Sequence, residues 1–324
     1  MAYSADVVRR ARARLAQAKT DRELENRQHL EQAYQQVPRL RQIDKLLRQT
    51  MIMAAQAAFD PNADVKEAME KARQANVGLQ QERAQLVKAY FKEGFLDEAP
   101  ICQRCGGEGY IGSRMCDCLQ ALCREEQKKE LTLLSGCPES FSQFRLDLYS
   151  DRYDPKYGAS PRAIMERNFE ICRRYGTAFS ENSGNLLFVG GTGLGKTFLS
   201  ACIARAAADR GYSVVYETAS RLFGKLESAR FNDDDDARRA VAQFSRCDLL
   251  IIDDLGTEMT SGFVVSALYS LLNDRLLPGK PTVISTNLNV DELAQRYSHQ
   301  IASRLQGSFT RLTFVGDDIR VKKN

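Results

Sequence analysis

The chain has 324 residues, 43% of them apolar and 27% charged, with a net charge of +4. That suits two domains, or one with a large appendage, of ordinary globular composition, and the mild charge neither demands nor excludes nucleic acid. No apolar run approaches the ~20 residues that cross a bilayer, and residues 1–11 lack an apolar signal core. The expectation is a cytoplasmic protein with no membrane partner and reduced thiols, whose nine cysteines serve as metal ligands or core residues.

Residues 1–95 are rich in Gln, Arg, Glu and Ala, nearly free of glycine, and read as helical. Arg9, Arg10, Arg12 and Arg14 make the start basic. Leu40, Ile43 and Leu47 fall at helical spacing, and Met69, Ala72, Leu86, Val87 and Tyr90 suggest further apolar stripes. Pro38 and the Phe59-Asp60-Pro61-Asn62 stretch interrupt the pattern, which predicts about three helices. Two readings stand: a bundle packing on itself, or an adaptor whose helices dock on a partner protein.

Residues 96–135 hold Cys102 and Cys105, then Cys116 and Cys118, a C-x₂-C-x₁₀-C-x-C arrangement with Gly106, Gly107, Gly109 and Gly112 between. Two short loops presenting four thiolates suit a tetrahedral, structural Zn²⁺. A redox C-x-x-C would leave the second pair idle and has no thioredoxin-like strand before it. Cys123 is a possible replacement for one ligand. A charged helix follows over 119–140, stopped by Gly136-Cys137-Pro138. The aromatic lead-in with Phe144, Tyr149, Tyr153 and Tyr157 is either core or cover for a base, and a helix is expected over 162–179.

The centre of the chain is Gly190-Gly191-Thr192-Gly193-Leu194-Gly195-Lys196-Thr197, between the apolar run Leu186–Val189 and a helix expected over 197–210. Strand, glycine-rich turn and helix at G-x-x-x-x-G-K-[ST] spacing make a P-loop. Its backbone N–H groups and the helix N-terminus cradle phosphates, Lys196 reaches the β- and γ-phosphates, and the Thr197 hydroxyl ligates Mg²⁺. The implied ligand is ATP with Mg²⁺. A buried strand at 213–217 and a helix through Leu222, Phe223 and Leu226 follow. The Asn232–Asp236 run reads as solvated surface and a helix cap, because consecutive acids do not converge on one ion.

Leu249-Leu250-Ile251-Ile252-Asp253-Asp254 is an apolar strand ending in two acids, about 55 residues beyond the P-loop, and reads as a Walker B element. Asp253 would hold Mg²⁺ through water, and Asp254 would orient and deprotonate the attacking water, with Glu258 a substitute for that role. A helix over 262–277 leads to a strand at 281–287, whose terminal Asn287 is placed to touch the γ-phosphate or the water. A helix starts at 289–291, and Leu312–Val315 reads as a closing strand. Arg296, Arg304, Arg311 and Arg320 lie along this part. The acidic run between the Walker elements repels phosphates and argues against a small-molecule kinase. An ATP-binding adaptor with negligible turnover is a further alternative.

From about Phe141 to Lys323 the chain resembles AAA+ ATPases of the bacterial helicase-loader family, the DnaC/DnaI type, and the related insertion-sequence ATPases of the IstB type. The carrying residues are Gly190–Thr197, Leu249–Gly256, Ser285-Thr286-Asn287-Leu288 and Ile301-Ala302-Ser303-Arg304-Leu305. The Cys102–Cys118 stretch is similar to the zinc knuckle before the ATPase in many Gram-positive loaders. The resemblance implies an α/β fold: a P-loop AAA+ domain with a parallel sheet (136–324), preceded by a zinc knuckle (96–135) and an all-α N-terminal domain (1–95). It implies Asn287 as sensor, Arg304 as a finger completing a neighbouring subunit's ATP site, and Arg320 as a nucleotide-sensing arginine. Relatives often carry Glu where this chain has Asp254. The implied partners are the replicative helicase, bound through the N-terminal domain, and single-stranded DNA, together with self-assembly in the ATP form; Arg221, Lys225 and Arg230 are compatible with DNA. The insertion-sequence alternative would bind double-stranded DNA and a transposase.

Overall fold

The computed structural model describes residues 3–57, 65–135, 140–232 and 234–321. The Phe59–Asn62 break, the Gly136–Pro138 stop, Asp233 and the chain end at Lys323 lie outside them. The chain divides into two compact units, Ala13–Cys116, and Met1–Arg12 with Asp117–Asn324.

Helices α1 (Ala5–Gln36), α2 (Pro38–Ala57) and α3 (Val65–Tyr90) make up the N-terminal region. Pro38 breaks α1 from α2 and sits where a helix tolerates it, at the first position, whose N–H has no intrahelical acceptor. Tyr34, Val37 and Leu40 are buried against Leu86, Val87, Phe91 and Phe95. Asp44 links the helices by accepting from Arg83 Nε at 2.7 Å and Tyr34 OH at 2.8 Å. The expected stripe on α3 is corrected in part: Met69 and Tyr90 are exposed.

Beyond the cysteine segment, with its antiparallel pair β1 (Tyr110–Ile111) and β2 (Arg114–Met115), α4 (Asp117–Ser135) leads into the larger unit. Its buried Gln127 pairs with the edge of the sheet, donating to Tyr212 O at 2.9 Å and accepting from Val214 N at 3.1 Å. Helix α5 (Pro161–Thr177) precedes a five-stranded parallel sheet of β3 (Asn185–Val189), β4 (Val214–Thr218), β5 (Leu249–Leu255), β6 (Thr282–Thr286) and β7 (Phe309–Thr313), in the order β4-β5-β6-β3-β7.

Between them run α6 (Lys196–Asp209), α7 (Ala219–Phe231), α8 (Asp235–Arg246), α9 (Gly262–Leu276), α10 (Val290–Arg296) and α11 (His299–Ser308). Both sheet faces are covered, which is why the strands read as unbroken apolar runs and not as alternating ones. On β3, Leu186 and Phe188 join one core and Leu187 the opposite one. A fully buried side chain of this size contributes about 1.5–3 kcal/mol. Asp234 caps α8 by accepting from Ala237 N, and Asp235 and Asp236 pair with Arg238 and Arg239, so the described part of the acidic run is a helix start. The closing strand begins earlier than expected, at Phe309, and the following residues Phe314 and Val315 remain buried.

Candidate nucleotide site

From β3 the chain crosses through α6 to the far edge at β4, while β7 lies on the other side of β3. Ligands bind at such a switch point, outside the carboxyl ends of the strands. Here those ends bring the P-loop, the end of β5 and the end of β6 together. A cavity of about 340 Å³ opens there, lined by Thr192 to Phe198, Asp254, Asn287, Ile319 and Arg320.

The P-loop is held close from behind. A Cβ at Gly190 would lie 2.3 Å from Phe314 O, and one at Gly193, whose φ is +72°, would strike the Asp318 carboxylate. The Phe314 backbone closes the first place to any side chain, and the left-handed φ favours glycine at the second. Ile319 N donates to Gly193 O at 3.0 Å, and Tyr149 OH to Leu194 O at 3.0 Å. Tyr149 and Phe144 therefore belong to the core beneath the loop, whereas Tyr153 and Tyr157 are exposed.

Lys196 opens α6, 4% exposed. Its Nζ donates to Gly190 O at 2.8 Å, Gly191 O at 2.7 Å and Asn287 Oδ1 at 2.6 Å. Burial presses its pKa below the ordinary lysine value, against the pull of Asp254 and Asp253. The cation is thus hydrogen-bonded at the loop by neutral oxygens, with the Asp254 and Asp253 carboxylates close enough to attract it. Thr197 is exposed beside it.

The two acids of β5 have different surroundings. Asp253 is buried beneath the cavity wall, accepting from Tyr216 OH at 2.7 Å and from the Ser285 hydroxyl. Ser285 Oγ in turn accepts from Asp254 N at 2.9 Å. Beyond Ile252 the register against β6 slips through a bulge, and Asp254 takes φ +55°, the one positive φ among described non-glycine residues. A bulge turns a side chain to the face that the pleat would deny it, and it sends Asp254 to the cavity. Burial, then the neighbouring Asp253 charge, raises the Asp254 pKa above the usual aspartate range.

Asn287, just past β6, is exposed at the cavity. Arg320 reaches it from the chain's far end, steadied by Asp318, whose Oδ1 accepts from Arg320 N at 2.9 Å and from its Nε at 3.2 Å. Arg304 is not brought to this cavity; on α11 it stacks 4.7 Å over the Tyr269 ring and donates to Tyr269 OH at 2.9 Å. Glu258 does not line the cavity either, and its carboxylate is taken by Gly256 N–H and Tyr297 OH, which removes it as a substitute for Asp254. Lys225 and Arg221 turn to Glu217, and Arg230 lies over Phe231 and Phe263.

The four thiols of Cys102, Cys105, Cys116 and Cys118 lie within 4.8 Å of one another. Cys102 Sγ and Cys116 Sγ are 3.8 Å apart, and Gly109 N donates to Cys105 Sγ at 3.3 Å. A tetrahedral Zn–S length of about 2.3 Å separates sulfurs by about 3.8 Å, the spacing of Cys102 and Cys116, so the cluster could hold zinc once its wider pairs close in. Cys123 is fully buried on α4, outside the cluster, and burial pushes its thiol up to about 11. Among the described residues no helix is long and apolar enough to cross a membrane.

The family model for the IstB-like ATP binding protein matches residues 164–323. The chain is 26% identical over 149 residues to the replicative helicase loader DnaC of Escherichia coli, covering 46% of this chain and 61% of that one. To an ATP-binding protein named for insertion sequence IS21 in Pseudomonas aeruginosa it is 28% identical over 153 residues, covering 46% and 57%. Both alignments span less than two thirds of those relatives. A crystal structure of the DnaC helicase loader superposes with a TM-score of 0.45 at 20% identity, covering 54% of this chain and 98% of that one. The matched region takes in the P-loop, β5, Asn287 and Arg320, so the residues that build this cavity lie within the stretch that is similar to the IstB-like ATP binding protein.

Proposed function

We propose that this chain hydrolyses ATP and loads a replicative helicase onto single-stranded DNA. The observation that carries the ATPase reading is the convergence of Lys196, Asp254, Asn287 and Arg320 on one cavity at the P-loop. The loader reading is supported by the likeness to DnaC and by the helices and four-cysteine cluster that precede the ATPase.

In this mechanism the loop N–H groups and Lys196 hold the β- and γ-phosphates. Thr197 and Asp253 would hold Mg²⁺, which would supply charge neutralisation across the phosphates. Asp254, its pKa raised by burial, aims a water and takes its proton. Asn287 reports the γ-phosphate to β6, and Arg320 reports it to the chain end. Arg304, remote from its own cavity, serves the site of an adjoining subunit, so assembled subunits turn over ATP and an isolated one does so poorly. Phosphate and finger contacts bias the interface between two states, gripping DNA before hydrolysis and releasing after it. The functional division is 1–95 for the helicase, 96–135 as a zinc-stapled knuckle, and 136–324 for ATP and DNA, in the cytoplasm.

A second reading is a transposition helper acting with a transposase on double-stranded DNA, favoured by the IS21 likeness. The two are separated by using the zinc-loaded full-length chain as bait for the host's replicative helicase and, in parallel, for a transposase encoded beside its gene. Capture of the helicase with ATP supports the loader. Capture of the transposase alone moves the reading to the helper.

A further inference from the structure

The turn after β5 carries a buried acid that phosphate chemistry does not use. Glu258 is 6% exposed and stands apart from the cavity. Its Oε2 accepts from Gly256 N at 3.0 Å, and its Oε1 accepts from the Tyr297 hydroxyl. The Arg296 guanidinium donates to the Glu258 carbonyl oxygen. The first bond closes the turn on itself, and the other two fasten it to the end of α10.

The near end of that turn is Asp254. Thr257 closes onto the Asp254 carbonyl twice, through its hydroxyl at 2.9 Å and its N–H at 3.3 Å. Thr286 Oγ1 donates to Leu255 O at 2.6 Å, so the same turn is pinned to β6. Asp254 pays for its left-handed backbone only while surrounding bonds over-determine it. The far end is Tyr297, 5% exposed and followed directly by Ser298, the cap of the helix that bears Arg304.

We propose that Glu258 is a positioning residue for this site: its carboxylate holds the turn that keeps Asp254 aimed at the cavity, and ties that turn to the root of the Arg304 helix. The inference rests on reading Asp254 as the residue that handles the attacking water. Without the tie, the bulge relaxes and the Asp254 side chain leaves the cavity, since one residue of register reverses its face. Nucleotide affinity depends on the P-loop and is spared. A carboxylate serves here because it can accept from two donors on opposite sides.

The test uses Glu258→Gln and Tyr297→Phe in the full-length chain, with Asp254→Asn as control. Glutamine keeps the volume but presents an amide N–H₂ to one of the two donors. The expected result is a kcat lower by about tenfold or more with the Kd for a fluorescent ATP analogue within about twofold, the signature of a lost transition-state contact. Amide exchange over 254–258 quickens in both variants, and the double variant loses little more than either single one. Asp254→Asn loses turnover while its exchange stays slow. Wild-type exchange in Glu258→Gln overturns the proposal, as does a parallel loss of affinity and kcat. Turnover retained by Asp254→Asn refutes the underlying reading of Asp254 instead, and exchange in Glu258→Gln then decides the tie alone.

Discussion

Arg275 on α9 offers a sharp test of how the sheet is held together. It is 1% exposed, yet its partners are neutral atoms: Phe244 O at 2.7 Å, Cys247 O at 3.0 Å, Pro281 O at 2.6 Å and Thr282 Oγ1 at 2.9 Å. One side chain thereby joins the end of α8 to the start of β6, the strand whose other end carries Ser285 and leads to Asn287. In Arg275→Met, Pro281 O keeps Leu250 N as a donor, and Phe244 O keeps only the weak Cys247 thiol. A buried acceptor left unpaired costs about 1–3 kcal/mol. Methionine fills part of the vacated volume, and removing a desolvated cation, whose pKa burial presses down, offsets some of the loss. With Cys247 O and Phe244 O both losing their Arg275 donor, the net destabilisation comes to roughly 2–4 kcal/mol.

For a unit of this size that lowers Tm by roughly 4–16 °C. The assay is a thermal melt followed by circular dichroism, reading the transition that rises on adding ATP, since that one reports the nucleotide-binding unit. Arg275→Lys, which keeps the charge but not the fork of donors, falls between. A shift below about 3 °C in Arg275→Met would refute the reasoning, because the carbonyl cage would then be worth less than a single surface cap.

Lys196→Ala abolishes binding of a fluorescent ATP analogue at micromolar protein, since the site loses its buried cation; full affinity would discard the phosphate-cradle reading. The four thiols predict one zinc per chain by metal analysis, reduced in Cys116→Ser and unchanged in Cys123→Ser, whose thiol lies outside the cluster. Turnover has an acid limb set by Asp254: its folded pKa is raised, so the base form is lost as pH falls through that elevated value, above the normal aspartate range. The stability sign is opposite. A raised acid pKa contributes stability that is present below the unfolded value and fades as pH rises through the folded one. Asp254→Asn therefore flattens that part of the stability profile in melts run across pH, and an unchanged profile would contradict the assignment.

What could be read from sequence was local. The P-loop, the apolar strand before Asp253 and the Cys102–Cys118 spacing each place their own chemistry within a few neighbouring residues; the P-loop and Asp254 line one cavity, and the four thiols lie together. What escaped depends on distant partners. Arg275 looks like any solvated helix arginine until α8 and β6 close over it. Glu258 has the chemistry of a base but is bonded to Tyr297, thirty-nine positions away. The left-handed turn at Asp254 has no glycine or asparagine to announce it, because a bulge against β6 imposes it. Met69 and Tyr90 satisfy helical spacing, yet both are exposed.

The most direct measurement is retention of the host's replicative helicase on circular single-stranded DNA, comparing the wild-type chain with Lys196→Ala. The account predicts helicase deposited with wild type and ATP, and none above background with Lys196→Ala. Equal deposition by both proteins, or by neither with ATP fully bound, would contradict the claim that this nucleotide site drives helicase loading.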